Sequence, residues 1–385
     1  MSFGEFPRGR TAIVAGATYG IGEAPGYEAL DLAALASLKA LDVAGLQPKD
    51  VDGLFVILAN DPLSHLSLAQ YFGIQPKVMD NNRTGGSSFQ LHAHAAALAL
   101  AAGECNVALI AYGSNQRSAA GKFVATVRPS IYQAPYKPMT PVSAYALAAN
   151  RHMHQYGTTR EQLAEVAVAA RAWANLNPDA FAKGPLTLQE CLAGRMISDP
   201  LTKFDCCLVT DGAAAVVMMS ADRAKDHARR PAYLLGAGQA TTHAEIASIP
   251  DLTVTGAVES GRRAFAHARV KPSDIDVAEL YDAFTINTIL FLEDLGFCPK
   301  GEGGRFVENG AIAPGGKLAV NTNGGGLSCV HPGMYGLFTM VEAMEQVMGV
   351  AGARQVSDVE LALSHGNGGV LSSQATLILG SEATL

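Results

Sequence analysis

Apolar and polar positions along this chain follow a pattern that occurs twice. In residues 34–56, ALASLKALDVAGLQPKDVDGLFV, apolar side chains fall at helical spacing, with Ala34, Leu35, Leu38 and Leu41 on one face. A turn bearing Pro and Asp follows, then an apolar run that predicts a strand. Residues 258–281, VESGRRAFAHARVKPSDIDVAELY, run in the same order. Leu46, Pro48, Asp50, Val51 and Asp52 correspond to Val270, Pro272, Asp274, Ile275 and Asp276. In each copy the Pro blocks continuation of the helix, and the Asp after it can cap or turn the chain into the strand.

The next segments repeat as well. TGGSSFQLHAHAAALALAAG (84–103) and NGGGLSCVHPGMYGLFTMVEAM (323–344) each predict a Gly-rich turn and a helix. CNVALIAYG (105–113) and SDVELALSHGNGG (357–369) supply the strands that follow. Two such copies predict a pseudo-two-fold α/β fold whose half-sites meet where the loops converge. The halves are assigned as 1–225 and 226–385. A segment at about 114–200 is present once only, helical around 141–176 and loop-rich on either side, which suits an inserted cover for a substrate.

A chain of 385 residues buries roughly three quarters of the surface it exposes when unfolded, so it needs no staples. With 49% hydrophobic and 16% charged residues it is not a disordered chain. Its net charge of −7 argues against non-specific binding to nucleic acid or anionic membranes. Cys105, Cys191, Cys206, Cys207, Cys298 and Cys329 are too few for a disulfide framework and include no CxxC zinc spacing. No run approaches the ~18 apolar residues of a membrane span, and the start lacks a signal-type apolar region. A reduced, cytoplasmic enzyme is the expectation.

Near the start, TAIVAGATYGIGEA places Gly16, Gly20 and Gly22 after a strand, the spacing with which short-chain dehydrogenases approach a dinucleotide pyrophosphate. Those enzymes also need a Tyr with Lys four residues on. None of the eleven tyrosines has one: Tyr112 is followed by Gln116, Tyr145 by Ala149 and Tyr156 by Arg160. A first strand and a loose Gly turn is the better reading. The pairs His92/His94 and His152/His154 are spaced i, i+2, so neither forms a helical metal site. Asp211 and Asp282 read as turn or cap residues.

ANRHMHQYGTTREQLAEVAV (149–168), ISDPLTKFDCCLVTDGAAAVVM (197–218), ELYDAFTINTILFLEDLGF (279–297) and NTNGGGLSCVHPGMYG (321–336) resemble the thiolase superfamily, in its sterol-carrier-protein-x branch. The resemblance implies an α/β fold of five layers, α-β-α-β-α, with the inserted loop domain closing over an acyl-CoA. It also implies a homodimer and a small OB-fold and zinc-ribbon partner protein. A thiolase carries a nucleophilic Cys at the start of the first-half helix, where the helix N-terminus lowers its pKa. Here DNNRTGGSSF has Thr84 at that place and no Cys, and a Thr hydroxyl without a base cannot substitute. Ser87 and Ser88 read as helix N-terminal hydrogen-bonding groups.

The remaining catalytic blocks are altered. This chain has Tyr281-Asp-Ala-Phe284, Cys329-Val-His331-Pro332 and His365-Gly366-Asn367-Gly368-Gly369 where related thiolases place oxyanion and proton-transfer groups. LYDAFTINTILFLEDLGFC is similar to a block of the steroid side-chain aldolases. The resemblance therefore implies retro-aldol cleavage of a β-hydroxyacyl-CoA, from a sterol or bile-acid side chain, to acetyl- or propionyl-CoA and a carbonyl product. No metal or redox cofactor is implied; coenzyme A enters as part of the substrate. Tyr281 would exchange the hydroxyl proton, with its pKa brought well below ~10. His331 with backbone N–H groups of Gly366, Gly368 and Gly369 would hold the enolate oxygen. His365 would assist Tyr281 or protonate the enolate carbon, and which of the three is acid or base stays open. Acyl transfer or thiolysis with Cys329 or a partner-supplied group standing in, and an inactive acyl-CoA- or lipid-binding subunit, are the alternatives. Lys122, Arg128 and Lys137 are candidates for the CoA phosphates.

Overall fold

The computed structural model describes residues 6–120, 131–226 and 230–385. The first half contributes strands β1 (Thr11–Gly22), β2 (Gly53–Leu58), β3 (Val78–Asp80) and β4 (Val107–Ser114). The inserted segment adds a short pair, β5 (Met196–Ser198) and β6 (Leu201–Thr202), before β7 (Asp211–Ser220). The second half supplies β8 (Ala232–Thr241), β9 (Val277–Leu280), β10 (Ala319–Val320), β11 (Leu361–Gly368) and β12 (Ser373–Gly380). Sheet order is β10-β9-β11-β12-β8-β1-β7-β4-β2-β3. Read outward from the centre, β1-β7-β4-β2-β3 and β8-β12-β11-β9-β10 are the same five-strand plan written twice. Among the described residues the two half-sheets pair between β1 and β8, at Ala12–Tyr233 and Ile13–Ala232.

The helices are α1 (Ala29–Val43), α2 (Ser64–Phe72), α3 (Ser88–Ala102), α4 (Gln116–Ala120), α5 (Val142–Tyr156), α6 (Arg160–Ala174), α7 (Leu188–Leu192), α8 (Ala221–Ala224), α9 (Ala257–Ala268), α10 (Thr285–Asp294), α11 (Gly303–Phe306) and α12 (Gly336–Met348). Helices α3 and α12 pack on each other, and each touches strands of both halves. Helix α1 covers β1, β7 and β4 from outside, as α9 covers β8 and β12. That is the layer order helix, sheet, helix, sheet, helix. Among the described residues no helix is long and apolar enough to cross a membrane.

The repeated turn explains how each half is pinned. Asp50 Oδ2 accepts the Gln47 N–H and Asp274 Oδ2 the Lys271 N–H, both at 2.8 Å, closing the turns that open at Pro48 and Pro272. The second Asp of each copy reaches the neighbouring strand. Asp52 Oδ1 accepts the N–H groups of Asn106 and Val107, and Asp276 Oδ2 those of Glu360 and Leu361.

Three local expectations change. Leu38 is exposed and Leu35 only half-buried, because α1 faces the sheet with Leu32, Ala33, Ala36, Ser37, Ala40 and Leu41. Small residues are required there: a Cβ on Gly113 of β4 would stand 2.2 Å from the Ala29 carbonyl oxygen. Gly16, Gly20 and Gly22 lie within β1 rather than after it, with positive φ at Gly20 and Gly22 where the register against β7 shifts. Finally, the second Gly-rich block makes a π-helical turn, Gly325–Cys329, and its helix begins only at Gly336.

In the inserted segment, α5 ends on Gly157 at φ +76°, and Thr159 starts α6 in a capping box with Gln162. Asp211 acts as the expected turn anchor, accepting the N–H groups of Ala24 and Ser118 and the Ser118 hydroxyl.

Candidate active site

A cavity of about 850 Å³ opens where the loops of both halves meet the inserted segment. Thr84, Gly85 and Gly86 enter its wall from the first half, Tyr281, His331 and Gly369 from the second, and Tyr145 from the insert. Tyr281 directly follows β9, and its N–H continues the parallel ladder by donating to the His365 carbonyl at 3.1 Å. His331 follows the π-helical turn, its N–H bound to Thr210 Oγ1 at 3.0 Å. That turn is fixed by Asp282, whose carboxylate accepts the Gly326 N–H at 2.6 Å and the Leu327 N–H at 3.4 Å. Gly325 has to be glycine: φ is +67°, and a Cβ would lie 2.0 Å from Asp282 Oδ2.

The side chains of Tyr281 and His331 meet, with Oη 3.1 Å from Nε2. The Tyr335 N–H donates to the same Oη at 3.2 Å, so the phenol proton is directed at the imidazole. Burial pushes the Tyr281 phenol well above its ordinary range, with Cys207 and Tyr145 adding to the effect. Burial likewise pushes His331 down to about 4. The resting pair is thus a neutral phenol bonded to a neutral imidazole. This direction is opposite to the lowered tyrosine pKa expected from the sequence, because the site is desolvated and, among the described residues, no cation is bonded to the phenol oxygen.

Thr84 stands at the mouth of α3, its hydroxyl 2.9 Å from Ser87 Oγ and 3.3 Å from Ser88 Oγ. The Thr84 N–H is taken by Ser88 Oγ at 2.8 Å, and Ser87 Oγ donates to Ser373 Oγ at 3.0 Å. The position where the resemblance places a nucleophile is therefore part of a hydroxyl cluster.

His365 does not reach the cavity. It is fully buried, with Nδ1 2.9 Å from Thr376 Oγ1 and Nε2 3.0 Å from Gln374 Oε1. Burial holds it neutral, at about 3. Of the glycines after it, Gly369 lines the cavity, whereas Gly366 and Gly368 sit in the β11–β12 ladder. Their small size lets the first-half loop approach: a Cβ on Gly368 would be 1.8 Å from the Thr84 carbonyl oxygen, and one on Gly366 2.1 Å from Gln90 Oε1.

Cys329 is buried outside this cavity, with Asn177 Nδ2 3.5 Å from its Sγ, and burial raises its thiol pKa far above the usual range. The cysteine that does line the cavity is Cys207, held protonated by burial and by Cys206 and Asp282. Lys137 is exposed and lies off the lining, and Lys122 and Arg128 fall outside the described residues. Among the described residues a basic side chain on the cavity lining is Arg83, whose Nη1 donates to the Ala59 carbonyl at 2.8 Å. Among the described residues, no group of three His, Cys, Asp or Glu side chains could hold a metal ion. His152 binds Thr158 and Glu293 instead, and His92 the Asn82 carbonyl.

Sequence reasoning missed Tyr145, Cys207, Arg83 and Asn367. Tyr145 is the one large aromatic in an Ala-rich stretch of α5, the signal that could have found it. Asn367 lay in a quoted block without a role; its Nδ2 donates to Tyr145 Oη at 2.9 Å.

Residues 238–381 match the thiolase C-terminal domain-like family. An acetyl-CoA acetyltransferase of Methanothermobacter thermautotrophicus is 33% identical over 90% of this chain and 93% of its own. The 17-hydroxy-3-oxo-4-pregnene-20-carboxyl-CoA lyase of Mycobacterium tuberculosis is 33% identical over 97% of this chain and 99% of its own. The solved structure of an Ltp2-ChsH2(DUF35) aldolase superposes with a TM-score of 0.88 at 34% identity, covering 97% of this chain and 98% of that one. Near-complete coverage by such relatives, on a fold built from two matching halves, makes this chain a member of the thiolase superfamily.

Proposed function

We propose that this chain is a carbon–carbon lyase that cleaves a β-hydroxyacyl-CoA by retro-aldol reaction, with Tyr281 and His331 moving the protons and no acyl group carried on the protein. The observation that carries this reading is the Tyr281–His331 hydrogen bond at 3.1 Å in a cavity lined by Thr84, where kinship would place a nucleophilic Cys. The substrate β-hydroxyl gives its proton to Tyr281 Oη as the phenol proton passes to His331 Nε2. The C–O⁻ electrons form the new carbonyl, the Cα–Cβ bond breaks, and its electron pair moves onto the thioester as an enolate. Returning the proton from the pair to Cα yields the shortened acyl-CoA and a ketone or aldehyde. General acid–base groups placed in this way contribute about 10²–10⁴ in rate.

A steroid side chain is the substrate class favoured. The lyase relative is named for the CoA ester of a hydroxylated steroid. A volume of about 850 Å³ with Tyr112, Tyr145, Phe284 and Met334 on its wall suits a bulky apolar ligand. The reading includes a small OB-fold and zinc-ribbon partner, supported by the two-component name of the aldolase neighbour, and a homodimer, supported by kinship.

Acyl transfer is what the acetyltransferase relative would favour. It requires a thiolate, and the cavity's own Cys207 is held protonated. Incubation with a steroid β-hydroxyacyl-CoA and no added free CoA separates the two. Release of the carbonyl product, abolished in Tyr281→Phe, is the expected result. A requirement for free CoA, or a thioester adduct in the intact mass during turnover, would overturn it.

A further inference from the structure

Four buried side chains form a hydrogen-bonded line that runs from behind the cavity wall to its lining and that the step above does not use. His365 Nε2 lies 3.0 Å from Gln374 Oε1, and Gln374 Nε2 donates to Asn367 Oδ1 at 2.8 Å. Asn367 Nδ2 then donates to Tyr145 Oη at 2.9 Å, and Tyr145 directs its own proton at the Gly369 carbonyl, 3.3 Å away. An amide oxygen only accepts, so His365 carries its proton on Nε2, and Nδ1 accepts from Thr376 Oγ1. Every bond in the line points the same way, from His365 toward the cavity. Hydrogen bonds aligned in this sense polarise one another, which makes the terminal O–H the strongest donor of the series.

The fold holds this line rigidly. His365 pairs with Thr376, and Asn367 with Gln374, across the antiparallel β11–β12 ladder. The Tyr145 ring is stacked on Phe284 with centroids 4.3 Å apart, so its one freedom is the direction of the hydroxyl proton. The last bond, to Gly369, is the longest of the four, and both Tyr145 and Gly369 line the cavity with Tyr281. A ligand oxygen can therefore replace that carbonyl as the acceptor at little cost.

We propose that Tyr145 is a second catalytic hydroxyl, holding the thioester oxygen by a hydrogen bond as it becomes the enolate. His365, through Gln374 and Asn367, is the positioning residue that aims it. This rests on the retro-aldol reading. No proton leaves Tyr145 in the step; its O–H shifts from the Gly369 carbonyl to the developing oxyanion, which replaces the backbone N–H groups expected there from the sequence.

Steady-state kinetics on a steroid β-hydroxyacyl-CoA test it. Removing one oxyanion donor costs about 10²–10³ in kcat, so Tyr145→Phe should lose that much with KM nearly unchanged. His365→Leu should lower kcat per folded molecule about tenfold, His365→Gln, which keeps an N–H, should recover most of it, and Tyr145→Phe/His365→Leu should be no slower than Tyr145→Phe. Additive losses, or parent-level kcat in Tyr145→Phe, overturn the proposal. The ¹³Cζ-tyrosine resonance of Tyr145 in the resting protein, assigned by its disappearance in Tyr145→Phe, should move in His365→Leu. An unmoved signal overturns the line without reference to turnover, whereas a parent chain that cleaves nothing refutes the retro-aldol reading itself.

Discussion

The substitution that probes the site most sharply is Gly86→Ala, which adds one methyl group to the loop before α3. The new Cβ would stand 1.9 Å from Tyr281 Cε2, 2.6 Å from Cζ and 2.7 Å from the Asn367 carbonyl oxygen. The backbone oxygen is fixed in the β11–β12 ladder, so the tyrosine ring must yield. To regain a carbon–carbon distance near 3.5 Å it has to retreat roughly 1.5–2 Å. Bonds of 3.1 Å to His331 and 3.2 Å from Tyr335 then both pass out of hydrogen-bonding range. Overpacking of this kind and two lost bonds together cost about 2–4 kcal/mol, a fall of several degrees in Tm. For the chemistry, a 1 Å displacement of a proton-transfer group costs about 10² in rate. We expect kcat per folded molecule to fall at least that far, with Gly86→Ala/Tyr281→Phe no slower than Tyr281→Phe alone. Thermal unfolding measures the first effect and carbonyl release without free CoA the second. A lowered Tm with parent-level kcat would refute the assignment of Tyr281, since the ring would have moved without consequence.

Two further predictions follow from the same geometry. His331 and Asp282 titrate in opposite directions on folding. Burial lowers His331 to about 4, so it stabilises the unfolded chain as pH falls below about 6.5; burial raises Asp282 to about 7, so its contribution to stability is lost as pH rises from about 4 toward 7. Relative to the parent chain, Asp282→Asn should make urea-unfolding stability rise more steeply with pH between about 4.5 and 6.5, and His331→Gln less steeply, each by up to about 1.4 kcal/mol per pH unit; equal slopes in all three chains would show that neither group is desolvated as described. Thr84→Ala and Cys329→Ala should each keep kcat within about threefold of the parent, about 0.7 kcal/mol of barrier, and a tenfold loss in either assay would restore a nucleophile to that position.

The repeat was legible because its signals are local. Pro48 with Asp50 and Pro272 with Asp274 close turns within four residues, and Asp52 and Asp276 each reach a strand whose apolar run is equally plain. Tyr281 and His331 were legible as parts of contiguous blocks. The face of α1 was not, because the approach of Gly113 to Ala29 makes small residues, not leucines, the inward ones. Nor was the position of His365. Which side of β11 it faces depends on a ladder in which Thr376 and Gln374 receive both ring nitrogens, a contact between strands that no spacing along one of them reveals. Tyr145 comes from the inserted segment and Cys207 from the loop between it and β7, and both meet the site only through the fold.

In the proposed mechanism, doing without an acyl carrier and using a tyrosine–histidine pair both follow from one property, desolvation. A buried thiol keeps its proton, as Cys207 does, so this cavity could not sustain a thiolate without a cation or helix terminus aimed at it. The same burial costs nothing to a pair that is neutral at rest. It disfavours imidazolium at His331 by about 3 kcal/mol, the equivalent of its displacement from 6.5 to about 4. That penalty applies to the free protein, which carries no enolate. In the proposed step, a negative charge forms on the substrate in the same low-dielectric space as the Cα–Cβ bond breaks, and the protonated imidazole would be its counter-ion. The attraction exists in the transition state and not before it, which is the condition for an interaction to accelerate the reaction rather than merely tighten binding.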